Sequence, residues 1–345
     1  MSEKKKMGFF QKTKNMTDTN LLLAITMIVF FAMYIGAMIF EGKGFLKAQT
    51  FLNMLNANAA LIIASCGMSI VMITGSIDIS VGGVAALVSM CCAVYLDYHG
   101  GNVVTAIFIS LGIGLLFGLV QGYLVAYLDI QPFIVSLAGM FFARGMTTIV
   151  NTEPFNVQNE AFVKLKETRV IVPGLGSVNK LGKYVNAYVE IGVVVGLILV
   201  IVLFCMLRWS KSGRNFYAVG GNQQSALMLG INVKKTKFMA HLLCSLLAGI
   251  GGFVYFMHVG SGSASHATGM EMNAIASSII GGTMLTGGVG NIIGTLFGVL
   301  SLSTIQNIVS SAGLDQAWWT GITIAAMLCL FLVIQSVVMS RKKKA

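Results

Sequence analysis

Apolar residues run along this chain in long blocks and not in alternation. The first block, "LLLAITMIVFFAMYIGAMIF" at 21–40, carries no charge over 20 residues. That is the length of helix that crosses a hydrocarbon core roughly 30 Å thick. Further blocks at 55–74, 81–97, 103–128, 132–150, 188–207, 237–259, 272–286, 288–310 and 317–338 bring the predicted spans to ten. The expected fold class is an all-α integral membrane protein of about ten transmembrane helices, with glycine-broken segments and a short helix in a polar connection. A lysine-rich leader precedes the first block and no small-residue cleavage site follows it, so the block reads as an uncleaved span.

Composition agrees with this pattern. Hydrophobic residues make up 56% and charged ones 10%, whereas a soluble domain is about a quarter charged, and the mean hydropathy is +0.83. The net charge of +11 is distributed unevenly: fifteen of the 23 basic residues fall at the two ends and in the connection between spans six and seven. Lys4, Lys5, Lys6, Lys12 and Lys14 lie at the start, Arg341 to Lys344 at the finish, and Arg208, Lys211, Arg214, Lys234, Lys235 and Lys237 in or beside the connection. An even number of spans puts both ends on one side, and the positive-inside rule makes that side cytoplasmic. The expected organisation is a basic segment at 1–20, a polytopic domain at 21–338 and a basic tail at 339–345. Within the domain, 151–187 is an extracytoplasmic loop and 208–236 a cytoplasmic one. The charge then speaks to orientation and anionic membrane lipid, with no nucleic-acid partner.

Soluble catalytic machinery is missing from this pattern. No Walker A loop is present, and His99, His241, His258 and His266 are scattered and read as structural or surface residues. The six cysteines sit inside apolar runs without metal-ligand spacing and read as small core hydrophobes. Within the spans the ionisable residues are chiefly Asp78, Glu271 and Arg144, too few and too separate for a membrane enzyme. An ion-coupled secondary carrier of a small polar solute stays open, because one buried acid can serve it.

The most polar long run, "GRNFYAVGGNQQSALMLGINVKKTKF" at 213–238, contains no acid. Asn222 is placed to cap a helix over Gln223 to Leu229, and Gly230 to end it. Seven residues are too few for a stable free helix, so the segment is either a docking element held by its surroundings or a plain basic loop. "GMSIVMITGSIDISVGG" at 67–83 and "MEMNAIASSIIGGTMLTGGVGNIIGTLFG" at 270–298 break apolar runs with glycine and hydroxylated residues. Backbone freed in this way must be solvated by protein or by a water-filled path. These segments therefore either line a translocation pathway or pack helices closely through small residues. Asp78 either caps the helix that begins near Ser80 or lines the path.

Together these three stretches resemble the permease subunits of ABC importers for simple sugars: the first its coupling loop, the second its "GGIDLSVG" signature, the third its "ELDAIA…GGT…GG.G…GT" signature. Through "QPFIVSLAGMFFARG" at 131–145 and the tryptophan pair at 318–319, the likeness is nearest to permeases of galactofuranose importers. The resemblance implies a transport subunit that is not itself an enzyme and binds no cofactor. ATP and magnesium would belong to a separate ATPase subunit. The remaining partners would be a second permease, identical or not, and an extracytoplasmic sugar-binding protein, all at a bacterial inner membrane. It places the ATPase contacts at Gly213, Gly220, Gly221, Asn222, Gln224, Ser225, Ala226 and Gly230. Where many importers carry Glu-Ala-Ala in this loop, the chain has Gln224, Ser225 and Ala226, and it has Asn273 where the family often has Asp. No acid-dependent contact carries over at either place. A nucleoside or amino acid is the alternative cargo within the same class.

The expected pathway residues are Asp78, Asn58, Gln121, Phe142, Asn273, Gly287 and Gly288. Asn56, Asn151, Phe141, Trp318 and Trp319 are further candidates by residue type, the tryptophans reading equally as interface anchors. Arg144, alone inside a span, either turns into the protein or snorkels to the headgroups.

Overall fold

The computed structural model describes residues 18–41, 45–178, 184–314 and 316–344. The expected basic cluster from Lys4 to Lys14 lies outside the described residues. In chain order the helices begin with α1 (Asp18–Glu41), α2 (Ala48–Ile73), α3 (Val81–Asp97), α4 (Val103–Ala126) and α5 (Pro132–Val150). An insert follows, with β1 (Phe155–Asn156), α6 (Glu160–Glu167), β2 (Arg169–Val178) and β3 (Tyr184–Glu190). Then come α7 (Ile191–Trp209), α8 (Lys211–Gly221), α9 (Gln223–Met228), α10 (Val233–Val259), β4 (Ser261–Gly262), α11 (Met270–Ile280), α12 (Ile292–Ser311) and α13 (Ala317–Lys344).

Ten of these helices answer the ten predicted spans, and eight are long and apolar enough to cross a membrane. The exceptions are α3, with 17 residues, and α11, with 11. α2 is apolar all round and almost wholly buried, so with α10 it forms the centre of the bundle. α1, α4, α5 and α13 are equally apolar yet largely exposed, as helices that face lipid must be. α4 packs on α10 through a glycine every fourth residue. A Cβ on Gly114, Gly118 or Gly122 would come within 2.7 Å of Ser245 O, 2.9 Å of Leu242 Cα or 3.0 Å of Phe238 Cδ2. For these three glycines, close helix packing is the whole explanation.

Four departures from the expected elements matter. The block at 272–286 is helical only to Ile280; Gly282 takes φ +89°, and no helix forms again before Ile292. The polar connection holds a second helix, α8, which the three glycines of "GRNFYAVGG" concealed. Within 151–187 the described residues are folded, with helix α6 and an antiparallel β2–β3 hairpin that pairs Arg169 with Glu190. That hairpin takes residues 188–190, so α7 starts three residues later than expected.

The insert is pinned to one end of the bundle. Asn159 caps α6 through Phe162 N–H and donates to the carbonyls of Leu96 and Gly101. Phe162 stacks on Phe256 at 4.3 Å, and Glu190 meets His258 at 2.7 Å. All six cysteines are free.

Candidate functional site

The segment between α7 and α10 is built from caps. Ser210 Oγ accepts the Gly213 N–H and starts α8, and Gly213 permits the sharp turn because a Cβ there would overlap the Leu207 backbone. α8 buries Gly213, Phe216 and Val219, three residues apart on one face. Asn222 Oδ1 then accepts the Ser225 N–H at 2.8 Å and starts α9, as its sequence predicts. The helix ends one residue earlier than expected. Gly230 takes φ +76°, while Ile231 N–H donates to Ala226 O and Gly230 N–H to Leu227 O. This paired arrangement is a Schellman motif. Of α9 only Ala226 is buried; Gln224 and Ser225 face outward, and the tip exposes Leu227, Met228 and Leu229 at 65%, 88% and 78%.

A Cβ at Gly230 would meet nothing within 4 Å, so the effect of replacing it comes from the backbone alone. Gly230→Val is expected to destabilise this turn by about 1–2 kcal/mol. Lys234→Ala, which removes one exposed charge, is expected to cost less than about 1 kcal/mol. Thermal unfolding of the two purified variants side by side checks the difference.

α8 ends on both glycine signatures at once. Ile73 O, at the end of α2, accepts the Gly288 N–H at 2.9 Å. A Cβ on Gly220 would overlap that same Ile73 carbonyl and lie 2.6 Å from Gly288 N. One on Gly287, where φ is +86°, would lie 2.8 Å from Gly220 O and 2.9 Å from Gly75 N; one on Gly288 would lie 2.8 Å from Gly221 Cα. Three chain segments thus meet backbone to backbone. Tyr217 tightens the joint by donating to Gly290 O at 2.8 Å, and burial pushes its hydroxyl up to about 12, so it stays a donor. Gly287 and Gly288, expected on the pathway, sit in this joint beneath Gly220 and Gly221.

Above the joint the chain from Gly75 climbs back into the bundle before α3 begins. Gly83, in the first turn of α3, lies against Met140 and Ala143, about 12–17 Å along α5 from Pro132. Asp78 is fully buried on the way; its Oδ1 accepts Ser80 N–H at 3.0 Å and Ser80 Oγ–H at 2.6 Å, which fixes the entry into α3. Gln121 Nε2 donates to the same Ser80 Oγ at 2.9 Å, and Gly139 leaves room for that amide, since a Cβ would lie 2.6 Å from Nε2.

Two cavities divide the remaining pathway candidates. A groove of about 530 Å³ between α4 and α5 is apolar except for Gln121, and Phe142 lines it. A cup of about 280 Å³ between α2, α10 and α11 has Asn58 and Asn273 in its wall. Asp78 lines neither cavity. Asn56 is used structurally, accepting the Glu190 N–H, and Asn151 donates to Glu153 O at the end of α5. Phe141, Trp318 and Trp319 are exposed on the bundle's outer surface.

Arg144 turns inward. Its guanidinium donates to the carbonyls of His266 and Ala267 and stands 3.9 Å from Glu271. The Glu271 carboxylate rests over Gly82, where a Cβ would overlap it. A glycine of the first signature thus makes room for the acid of the second, a pairing that no sequence spacing signals. His241 is buried on α10, and both ring nitrogens lack a hydrogen-bond partner among the described residues. Among those residues no three His, Cys, Asp or Glu side chains converge as metal ligands do.

A bundle of apolar helices, broken at two glycine segments and carrying a capped helix pair at one end, is a multi-pass membrane protein of the permease class. Residues 50–332 match the family described as the branched-chain amino acid transport system / permease component, and the chain belongs to that family. It is 34% identical over 320 residues to the inner membrane ABC transporter permease protein YjfF of Escherichia coli (strain K12), covering 93% of each chain. It is 34% identical to the fructose import permease protein FruG of Bifidobacterium longum (strain NCC 2705), over 82% of this chain and 81% of that one. To the ribose import permease protein RbsC of Escherichia coli (strain K12) it is 31% identical, over 79% and 81%. No solved structure matches.

Proposed function

We propose that this chain is the membrane-spanning subunit of an ATP-driven importer. It would form the route by which a monosaccharide, handed over by an extracytoplasmic binding protein, crosses a bacterial inner membrane. The observation that carries this reading is that two relatives named as sugar import permeases align with about four-fifths of the chain. Galactofuranose is the sugar to test first, on the likeness at 131–145. ATP and magnesium belong, in this reading, to a partner ATPase seated on α8 and α9. The tip of α9 supports that assignment: three consecutive exposed apolar residues beside Arg214, Lys234 and Lys235 are a surface that a partner covers. The ten helices and the charge distribution support termini and segment 208–236 on the cytoplasmic side and the insert at 151–187 outside. A second permease, identical or not, completes the route.

Two experiments test the reading. A cysteine in place of Ser225 is expected to crosslink to the ATPase that co-purifies from mild detergent. If it never does, and Gly230→Val leaves uptake untouched, the segment is only a charged loop. Reconstitution of the chain alone into proteoliposomes is expected to give no sugar uptake; transport by the lone chain would replace this reading with an ion-coupled carrier. The family description favours a second cargo, a branched-chain amino acid, and the geometry of the cup bears on that choice.

A further inference from the structure

We propose that the cup between α2, α10 and α11 is the transient cargo site, and that its chemistry selects a neutral, hydroxylated molecule of monosaccharide size over an amino acid. The proposal rests on the importer reading above. At about 280 Å³ the cup lies at the lower limit of small-molecule pockets, room for one sugar ring. Its polar wall consists of Asn58, Tyr255, Ser265, Thr268 and Asn273, and none of the lining residues carries a charge.

Asn58 is preset as an acceptor. Its Nδ2 donates to Met54 O and to Ser303 Oγ, both at 2.9 Å, which uses both N–H groups and leaves Oδ1 for a ligand. The Asn273 side chain makes no hydrogen bond to the described residues, so its amide offers a donor and an acceptor together. Tyr255 adds an aromatic ring with a hydroxyl beside these amides. Amides for hydroxyl groups and a ring for the C–H faces are what a sugar requires. Ser265 and Thr268 belong to the loop whose carbonyls Arg144 holds, so Arg144 is a positioning residue for this wall.

An amino acid would bring an ammonium and a carboxylate. Either group loses hydration on entering and needs a counter-charge to offset that loss, and the cup supplies none. Arg144 and Glu271 do not line it and face each other. Few polar contacts also mean weak retention, which suits a site that must release its cargo onward.

The test uses the assembled complex, with the co-purifying ATPase, in proteoliposomes. The probes are radiolabelled D-galactofuranose, D-ribose, D-fructose and L-leucine. The expected result is uptake of at least one sugar and none of L-leucine, with Asn273→Leu raising the concentration for half-maximal uptake about tenfold through loss of one paired amide. Asn273→Cys, in a Cys329→Ser background, is expected to react with a maleimide, and the transported sugar to slow that reaction. If a sugar is transported but Asn273→Leu and Tyr255→Leu transport it normally and no sugar protects the cysteine, the cup proposal is wrong and the importer reading stands. Should Asn273→Leu fail to assemble, the protection experiment decides alone. Uptake of L-leucine and of no sugar would overturn both.

Discussion

Gly220→Ala is expected to abolish transport and lower the melting temperature sharply, whereas Gly221→Ala next to it should melt like the parent protein. The added methyl at 220 overlaps the Ile73 carbonyl and crowds Gly288 N, and these are the two ends of one hydrogen bond. Neither is the flexible end of a side chain, so relief requires moving α2 or the 281–291 segment. Overpacking of this kind costs about 1–3 kcal/mol where side chains can adjust, and the upper end is expected where only backbone can. At Gly221 a Cβ meets nothing within 4 Å, and alanine is the better helix former. Thermal unfolding in detergent and uptake in vesicles check the pair; coincident melts for both variants would show that the joint tolerates expansion.

Arg144→Ala is expected to reduce the yield of folded protein far more than it changes sugar preference. Removing the guanidinium leaves the Glu271 carboxylate, whose side chain is 11% exposed, without its counter-ion. It also strips the donors from the His266 and Ala267 carbonyls. Breaking a buried pair from one side costs about 3–5 kcal/mol; at 3.9 Å and with 22% of the arginine side chain exposed, the lower end applies. Adding Glu271→Gln should recover part of the loss, and a double-mutant cycle on melting temperatures measures the coupling. A normal yield with an altered sugar profile would contradict this account.

The sequence carries the spans well because lipid leaves little choice: a charge-free block of 20 residues is a helix whatever it packs against. The first block, 21–40, falls wholly within α1 for that reason. The cap at Asn222 and the positive φ of Gly230 were equally legible, since both are local. α8 was not, because "GRNFYAVGG" has poor intrinsic helix propensity and is held by burial of Phe216 and Val219 against distant helices. The early end of α11 was hidden by the apolar residues that continue past Ile280. What ends the helix is glycine geometry and a hydrogen bond from Gly288 to Ile73, a partner far away in the chain. The site was legible by residue type and not by grouping. Asn58 and Asn273 do share a cavity, whereas Gln121 and Phe142 share another and Gly287 and Gly288 belong to the joint. The inward turn of Arg144 needed its partner, Glu271, which spacing alone does not reveal.

The joint of Gly75, Gly220, Gly287 and Gly288 also has a mechanical property. Side chains at an interface can absorb a displacement by hopping between rotamers, so a push arrives late and diminished on the far side. Bare peptide planes in contact have no such slack, and only backbone torsions can yield. A shift of α8 by a fraction of an ångström therefore reaches the end of α2 and the start of α12 almost undamped. Stiffness at this spot comes from the absence of side chains, and any residue larger than glycine would both jam the joint and soften it.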